Sequence, residues 1–401
     1  MVAYLRKSIR LSKTRLLPAI KKRKKLYPAR EKWMRYLRIL KPLGEIPLTL
    51  NQNKQWYLDG KIDQNSKTGA VYIELTEVGL NPESIWHKNE SSHLSTLITL
   101  IRIISRLHLL IYLIVFRNKT IRRLDLVTFQ VIVGYAAYKS FFCKHPLLKP
   151  IIVSDISPLL HMQWAGALAA GNEVMWWQDD YHHFKGFSTE NYLPYECHYA
   201  AVLNELGMQT TKGKCAIEKV FKRKQTLVKP FRRIPNNPRV GFASNVLFRA
   251  DEKQLKYIDK IRQKLGATQI YCRLHPNSKL HGRTNQPNWL SFAPKAETLG
   301  EFAKKVDLVI VGNSAVQLKL LCLGVPVVHI DGFDEFGFDL YKYCELGFSY
   351  GAKNLNALDI NRVHSFYGNQ AITNKLDEYV NVTTEIPSLE ELPKHIKRST
   401  N

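Results

Sequence analysis

The chain is short of acids, with 34 Asp and Glu against 59 Lys and Arg, so 401 residues carry a net charge of +25. Cysteine is sparse and unpaired in pattern. Cys143, Cys197, Cys215, Cys272, Cys322 and Cys344 include no CxxC spacing, which suits free thiols in a reducing cytoplasm. The opening segment MVAYLRKSIRLSKTR has no apolar core of the kind a secretory signal needs. No uninterrupted apolar run is long enough to span a bilayer. The best stretch, 94–116, is broken by Arg102, Arg106 and His108, and the remaining run 109–116 falls well short of the roughly twenty residues required, so it reads as a partly buried or interfacial helix. Internal repeats, low-complexity tracts and RRM, KH or zinc-knuckle signatures are absent, and nucleic acid is not an expected partner. What is present is ample: 45% hydrophobic residues can fill two cores of ordinary size.

The positive charge is concentrated at one end. Residues 1–50 hold 15 Lys and Arg and two Asp and Glu, and the run Lys21-Lys22-Arg23-Lys24-Lys25 lies among Leu16, Leu17, Ile20, Leu26, Trp33, Tyr36 and Leu37. A basic amphipathic arm with aromatics suits an anionic membrane surface, at about 1 kcal/mol for each basic residue near it.

The most informative residues are 270–332. IYCRL (270–274) is a short apolar run ending at His275-Pro276, and DLVIVG (307–312) is a second one ending at Asn313-Ser314. After Ser314, Val316, Leu320 and Leu323 share a helical face, and Gly324 stops that helix ahead of Pro326. Asn313 or Ser314 is the expected N-cap, and the N–H groups behind it would attract an anion. His275 could add a donor, and a cation when protonated. In an open α/β sheet, ligands sit outside the carboxyl ends of the strands, so two such ends carrying polar groups point to one cleft.

Upstream, PIIVSDISP (150–158) reads as a strand that breaks into Asp155, and EVMWWQDD (173–180) as one that ends in Asp179 and Asp180. Adjacent carboxylates on a strand end point to opposite sides, so one of the pair is expected to enter the cleft, Asp179 ahead of Asp180. A metal held by Asp179, Asp180, His182 and His183 is disfavoured. Four ligands within five residues seldom reach one ion without helical spacing.

R-L-H-P followed by G-N-S-A-V…L-C-L-G-V-P-V-V resembles the His-Pro-motif glycosyltransferases of bacterial surface polysaccharides. This group includes β-Kdo transferases, polysialyltransferases and CDP-glycerol glycerophosphotransferases. The resemblance covers about 240–332, is fainter over 151–205 and is absent from 1–150. It implies an α/β, GT-B-like fold: two Rossmann-like domains facing across a cleft, here with a basic N-terminal extension. It further implies donor-phosphate contacts from His275 and Ser314, with Arg273, Pro276, Asn313 and Ala315 around them. Several members have a second Ser where this chain has Ala315. The family chemistry needs a carboxylate as base or nucleophile, which maps to Asp179, Asp180 or Asp155, with His275 assisting at the phosphate.

The reading that follows is a metal-independent glycosyltransferase without a cofactor. Its donor would be a nucleotide sugar, CMP-Kdo or a related CMP-ulosonic acid first, with CDP-glycerol or a UDP-sugar as alternatives. Its acceptor would be a glycan or glycolipid at the inner membrane, to which the arm attaches the chain peripherally from the cytoplasm. A non-catalytic basic adaptor for membrane or nucleic acid is the rival. The expected division is an arm at 1–50, an acceptor domain at 51–232, a donor domain at 233–375, and a segment at 376–401 returning to the first domain.

Overall fold

The computed structural model describes residues 56–61, 67–80, 82–86, 126–153, 158–179, 193–245, 248–275, 278, 280–281, 286–331 and 339–399. The basic arm, the 94–116 segment, and Asp155, Asp180, His182, His183 and Pro276 lie outside these residues. Contacts divide the described chain into two units, one ending at Lys224 and resuming at Thr384, the other running Gln225–Thr383.

The first unit runs β1 (Trp56–Lys61), α1 (Lys67–Glu77), β2 (Glu83–Trp86), α2 (Leu126–Lys144), β3 (Lys149–Val153), α3 (Pro158–Ala170), β4 (Met175–Trp177), β5 (Tyr199–Val202), α4 (Glu205–Thr211) and β6 (Val220–Lys222). Its strands are all parallel, in the order β2-β1-β3-β4-β5-β6. A parallel sheet is covered on both faces, which is why β4 and β5 read MWW and YAAV and are buried at every position. The helices α2 and α3 pack closely because Gly166 has no side chain. A Cβ there would lie 2.8 Å from Tyr138 Cβ and 2.9 Å from the Lys139 nitrogen.

The second unit runs β7 (Val240–Ala243), α5 (Glu252–Lys264), β8 (Ile270–Arg273), β9 (Leu290–Phe292), α6 (Leu299–Lys305), β10 (Leu308–Val311), α7 (Val316–Cys322), β11 (Val327–Ile330), β12 (Tyr350–Ala352), α8 (Ile360–Tyr367) and α9 (Gln370–Val380). Its parallel sheet has the order β12-β11-β10-β7-β8-β9, the Rossmann arrangement in which the progression of strands across the sheet reverses between β7 and β10. Local signals set the helix limits. Asp251 caps α5 by accepting from the Gln254 N–H, Thr298 and Glu301 form a capping box on α6, and Gly324 ends α7 at φ +73°. Cys272 and Cys322 are buried as expected, and burial pushes the Cys322 thiol up to about 12.

The crossover between units comes earlier than the Pro-rich 229–241 stretch. Lys222 still donates to Pro387 O in the first unit, whereas the Lys229 and Arg232 N–H groups already bond to Cys322 O and Gly324 O in the second. The return comes later than residue 376, because α9 belongs to the second unit. The last helix, α10 (Leu392–Ser399), then places Leu392 and Ile396, with Leu389, in the core around Trp56, Leu58 and Phe221. Each such side chain contributes about 1.5–3 kcal/mol when fully buried. No helix among the described residues is long and apolar enough to cross a membrane.

Candidate functional site

In the second sheet, Val311 pairs with Ala243 and Ala243 with Arg273, so the carboxyl ends of β10, β7 and β8 lie side by side. Neighbouring strands are about 4.8 Å apart, so the residues after β8 and β10 are separated by about 10 Å across β7. His275, Ser244 and Ser314 therefore follow neighbouring strand ends along one edge, where the strand order reverses.

Ser244 was not anticipated. It is 5% exposed, its N–H donates to Arg273 O at 3.0 Å, and its Oγ accepts the His275 N–H at 3.0 Å, fastening the end of β7 to the turn after β8. The His275 carbonyl accepts from the Ser278 N–H at 2.8 Å and lies 3.0 Å from His281 Nε2. Arg273 is half-buried, and its Nε is buried without a hydrogen bond among the described residues. Burial lowers the Arg273 pKa, with Glu297 acting the other way. Burial, then Arg273 and His281, also lower the His275 pKa from 6.5, so its ring is neutral at pH 7 and acts as a hydrogen-bonding group. A half-buried guanidinium beside a neutral imidazole suits an anion.

The expected cap differs. Helix α7 begins with Ala315 as N-cap, without a side-chain cap bond. Asn313 is buried and its Oδ1 accepts the Leu340 N–H at 2.6 Å, a tertiary demand that draws the amide away from the helix. Ser314 and Ala315 are half-buried at the turn, where Ser314 O accepts from the Gln317 N–H. The buried positions of α7 are Gln317, Leu318, Leu320, Leu321 and Cys322; Val316 and Leu323 are only partly covered.

Behind this turn runs a polar relay. Gln317 Nε2 donates to Gly312 O at 3.1 Å and lies 3.2 Å from His329 Nδ1, while Gln317 Oε1 accepts from Ser349 Oγ at 3.0 Å. Since the amide NH2 must donate, His329 Nδ1 accepts, leaving Nε2–H to face Asp331 Oδ1 at 3.2 Å. Gln317, His329 and Ser349 are each at most 2% exposed. Their sequence signal is a Gln within VQLKLLC and a His within the buried strand VVHI.

In the first unit, Asp179 follows β4 and is half-buried. It succeeds a locked residue. The Gln178 N–H donates to Ala201 O, its Oε1 accepts the Leu203 N–H at 2.8 Å, and its Nε2 donates to Asn204 Oδ1 at 2.8 Å. Asn204 also accepts the Gly207 N–H at 3.0 Å as the N-cap of α4. Arg223 donates to Gln178 O, grips both Glu74 oxygens, and stacks 4.3 Å from the Trp177 ring centre. The backbone bearing Asp179 is thus held from three directions. No group of three or more potential metal ligands occurs among the described residues.

No protein family matches the sequence, and no curated protein does. Among solved structures, a putative UDP-N-acetylglucosamine 2-epimerase from Listeria monocytogenes is 13% identical, with a TM-score of 0.44 over 81% of this chain and 90% of that one. CalG4, the calicheamicin glycosyltransferase, is 10% identical, with a TM-score of 0.45 over 82% and 93%. MurG of Acinetobacter baumannii is 11% identical, with a TM-score of 0.41 over 82% and 88%. Likenesses this distant add no residue to the site, and the strand orders alone establish two Rossmann-like α/β units of parallel sheet.

Proposed function

We propose that this chain is a nucleotide-sugar-dependent glycosyltransferase. The observation that carries the reading is the alignment of Arg273, His275, Ser244 and Ser314 along the carboxyl edge of the second sheet at its reversal point. In this reading the Arg273 charge, the His275 ring and the Ser314 hydroxyl receive the donor phosphate. The sugar–oxygen bond to that phosphate breaks, and the phosphate keeps the electron pair. The new bond forms to an acceptor hydroxyl, whose proton passes to a carboxylate, for which Asp179 is the candidate among the described residues. The resemblance in the His-Pro region favours a CMP-linked ulosonic acid such as Kdo as donor, ahead of CDP-glycerol or a UDP-sugar. The basic arm favours an acceptor glycan carried at the cytoplasmic face of the inner membrane.

The test is calorimetric titration of the full chain with CMP, CDP, UDP and a short oligonucleotide, followed by transfer assays with the matching donors. The reading expects a cytidine nucleotide to bind best, Arg273→Ala to abolish binding, and Asp179→Asn to keep nucleotide affinity while transfer falls about 10²–10⁴-fold. Tight oligonucleotide binding with no response to any nucleotide would instead identify a basic adaptor.

A further inference from the structure

The second unit contains a cavity of about 250 Å³ whose lining includes Phe231, Arg232, Arg233, His364, Tyr367 and Thr373. It opens at the amino-terminal edge of the sheet. Tyr367 Oη accepts the N–H of Val327, the first residue of β11, at 3.0 Å, and Arg232 N–H donates to Gly324 O at 2.9 Å. The Arg273–His275 edge is at the other end of these four-residue strands, about 13 Å away along the strand direction.

Its chemistry is cationic with an aromatic wall. Arg232 places Nη1 on Ala303 O and Val306 O, and its other guanidinium nitrogens have no partner among the described residues. Arg233 is exposed and forms no ion pair among the described residues, and no Asp or Glu lines the cavity. Phe231 and Tyr367 meet edge to face with ring centres 4.8 Å apart. Thr373 is only 7% exposed and lines the cavity, and its hydroxyl makes no hydrogen bond among the described residues, which leaves it available to a ligand. The eleven-residue helix α9 also starts here, with Gln370 in the lining, and adds the positive end of its dipole.

We propose that this cavity is a second binding site, for a small anion carried on a planar ring. The guanidinium groups of Arg232 and Arg233 face the anionic group, the Thr373 hydroxyl completes its hydrogen bonding, and the joined rings of Phe231 and Tyr367 form one wall against which the planar part rests. The site stands apart from the proposed donor site and does not depend on the glycosyltransferase reading.

The experiment uses the full chain carrying Arg273→Ala and His275→Ala, which silences the other edge, titrated calorimetrically with phenyl phosphate, benzoate and inorganic phosphate. Phenyl phosphate is expected to bind, to weaken at least about tenfold when Arg233→Ala removes a charge-assisted bond, and to weaken about threefold to tenfold in Thr373→Val. Phenyl phosphate against benzoate shows whether phosphate or carboxylate is preferred, and either preference supports the site. Binding that is unchanged in both variants, or no binding of either ring-bearing probe at about 1 mM, overturns it. Inorganic phosphate binding as tightly as phenyl phosphate overturns the requirement for a ring. Arg233 is exposed, so its replacement leaves the fold intact, and a thermal melt verifies this.

Discussion

Gln178 fills the space that a side chain on residue 207 would need: a Cβ on Gly207 would lie 1.8 Å from Gln178 Oε1. The missing side chain lets Gln178 reach Leu203 N–H and Asn204 at once and so hold the start of the Asp179 segment. Gly207→Ala is expected to destabilise the chain by about 1–3 kcal/mol through overpacking. It should lower transfer more than nucleotide affinity, because nucleotide is assigned to the other unit. Urea denaturation and paired binding and turnover measurements check this; an alanine variant of unchanged stability would show that Gln178 moves freely.

The His275 ring gives a pH signature. Its folded pKa is lowered from 6.5, so between that lowered value and 6.5 the unfolded chain holds more of the proton. His275 therefore costs stability at low pH, and the cost disappears as pH rises above 6.5. A bound phosphate reverses the balance by favouring the protonated ring. Nucleotide affinity is expected to rise as pH falls through the region of 6.5, and this rise should be absent in His275→Ala. Calorimetry in buffers of different ionisation enthalpy reads the proton uptake, and identical profiles for both proteins would remove His275 from the phosphate.

The relay behind Ser314 predicts a positioning role for Gln317. Gln317→Met keeps the volume and removes the donor to Gly312 O, leaving a buried carbonyl unsatisfied at a cost of about 1–3 kcal/mol. Nucleotide affinity should fall with it, since Gly312 begins the turn bearing Ser314. Asp331→Asn, one step further out, should be milder, and its effect should vanish in a Gln317→Met background. Additive losses in stability and affinity would show that the two residues act separately.

The basic arm is tested on anionic vesicles. Deleting residues 1–41 is expected to weaken vesicle binding and flatten its salt dependence, because clustered Lys and Arg act through attraction screened within about 8–10 Å at ordinary ionic strength. Turnover on a short soluble acceptor should persist. Equal vesicle binding by both proteins would assign any membrane contact elsewhere.

Much of the second unit is legible because parallel strands buried on both faces become short unbroken apolar runs, as in LVIV and VVHI. Gly324 was readable as a helix stop because only a left-handed backbone fits there, at φ +73°. Local chemistry also placed His275 and Ser314 after strands. Sequence alone left Asn313 as a capping candidate, since a cap and a long-range acceptor use the same side chain; only the approach of Leu340 decided between them. Ser244, Gln178 and the Gln317 relay were hidden for the same reason. Their partners are strands that are neighbours in the sheet but distant in the chain, and β7 comes to lie between β8 and β10 only through crossovers. Short-range periodicity thus determined the elements and their ends, while strand order decided which polar groups meet, because hydrogen bonds between buried groups form only once burial has brought those strand ends together.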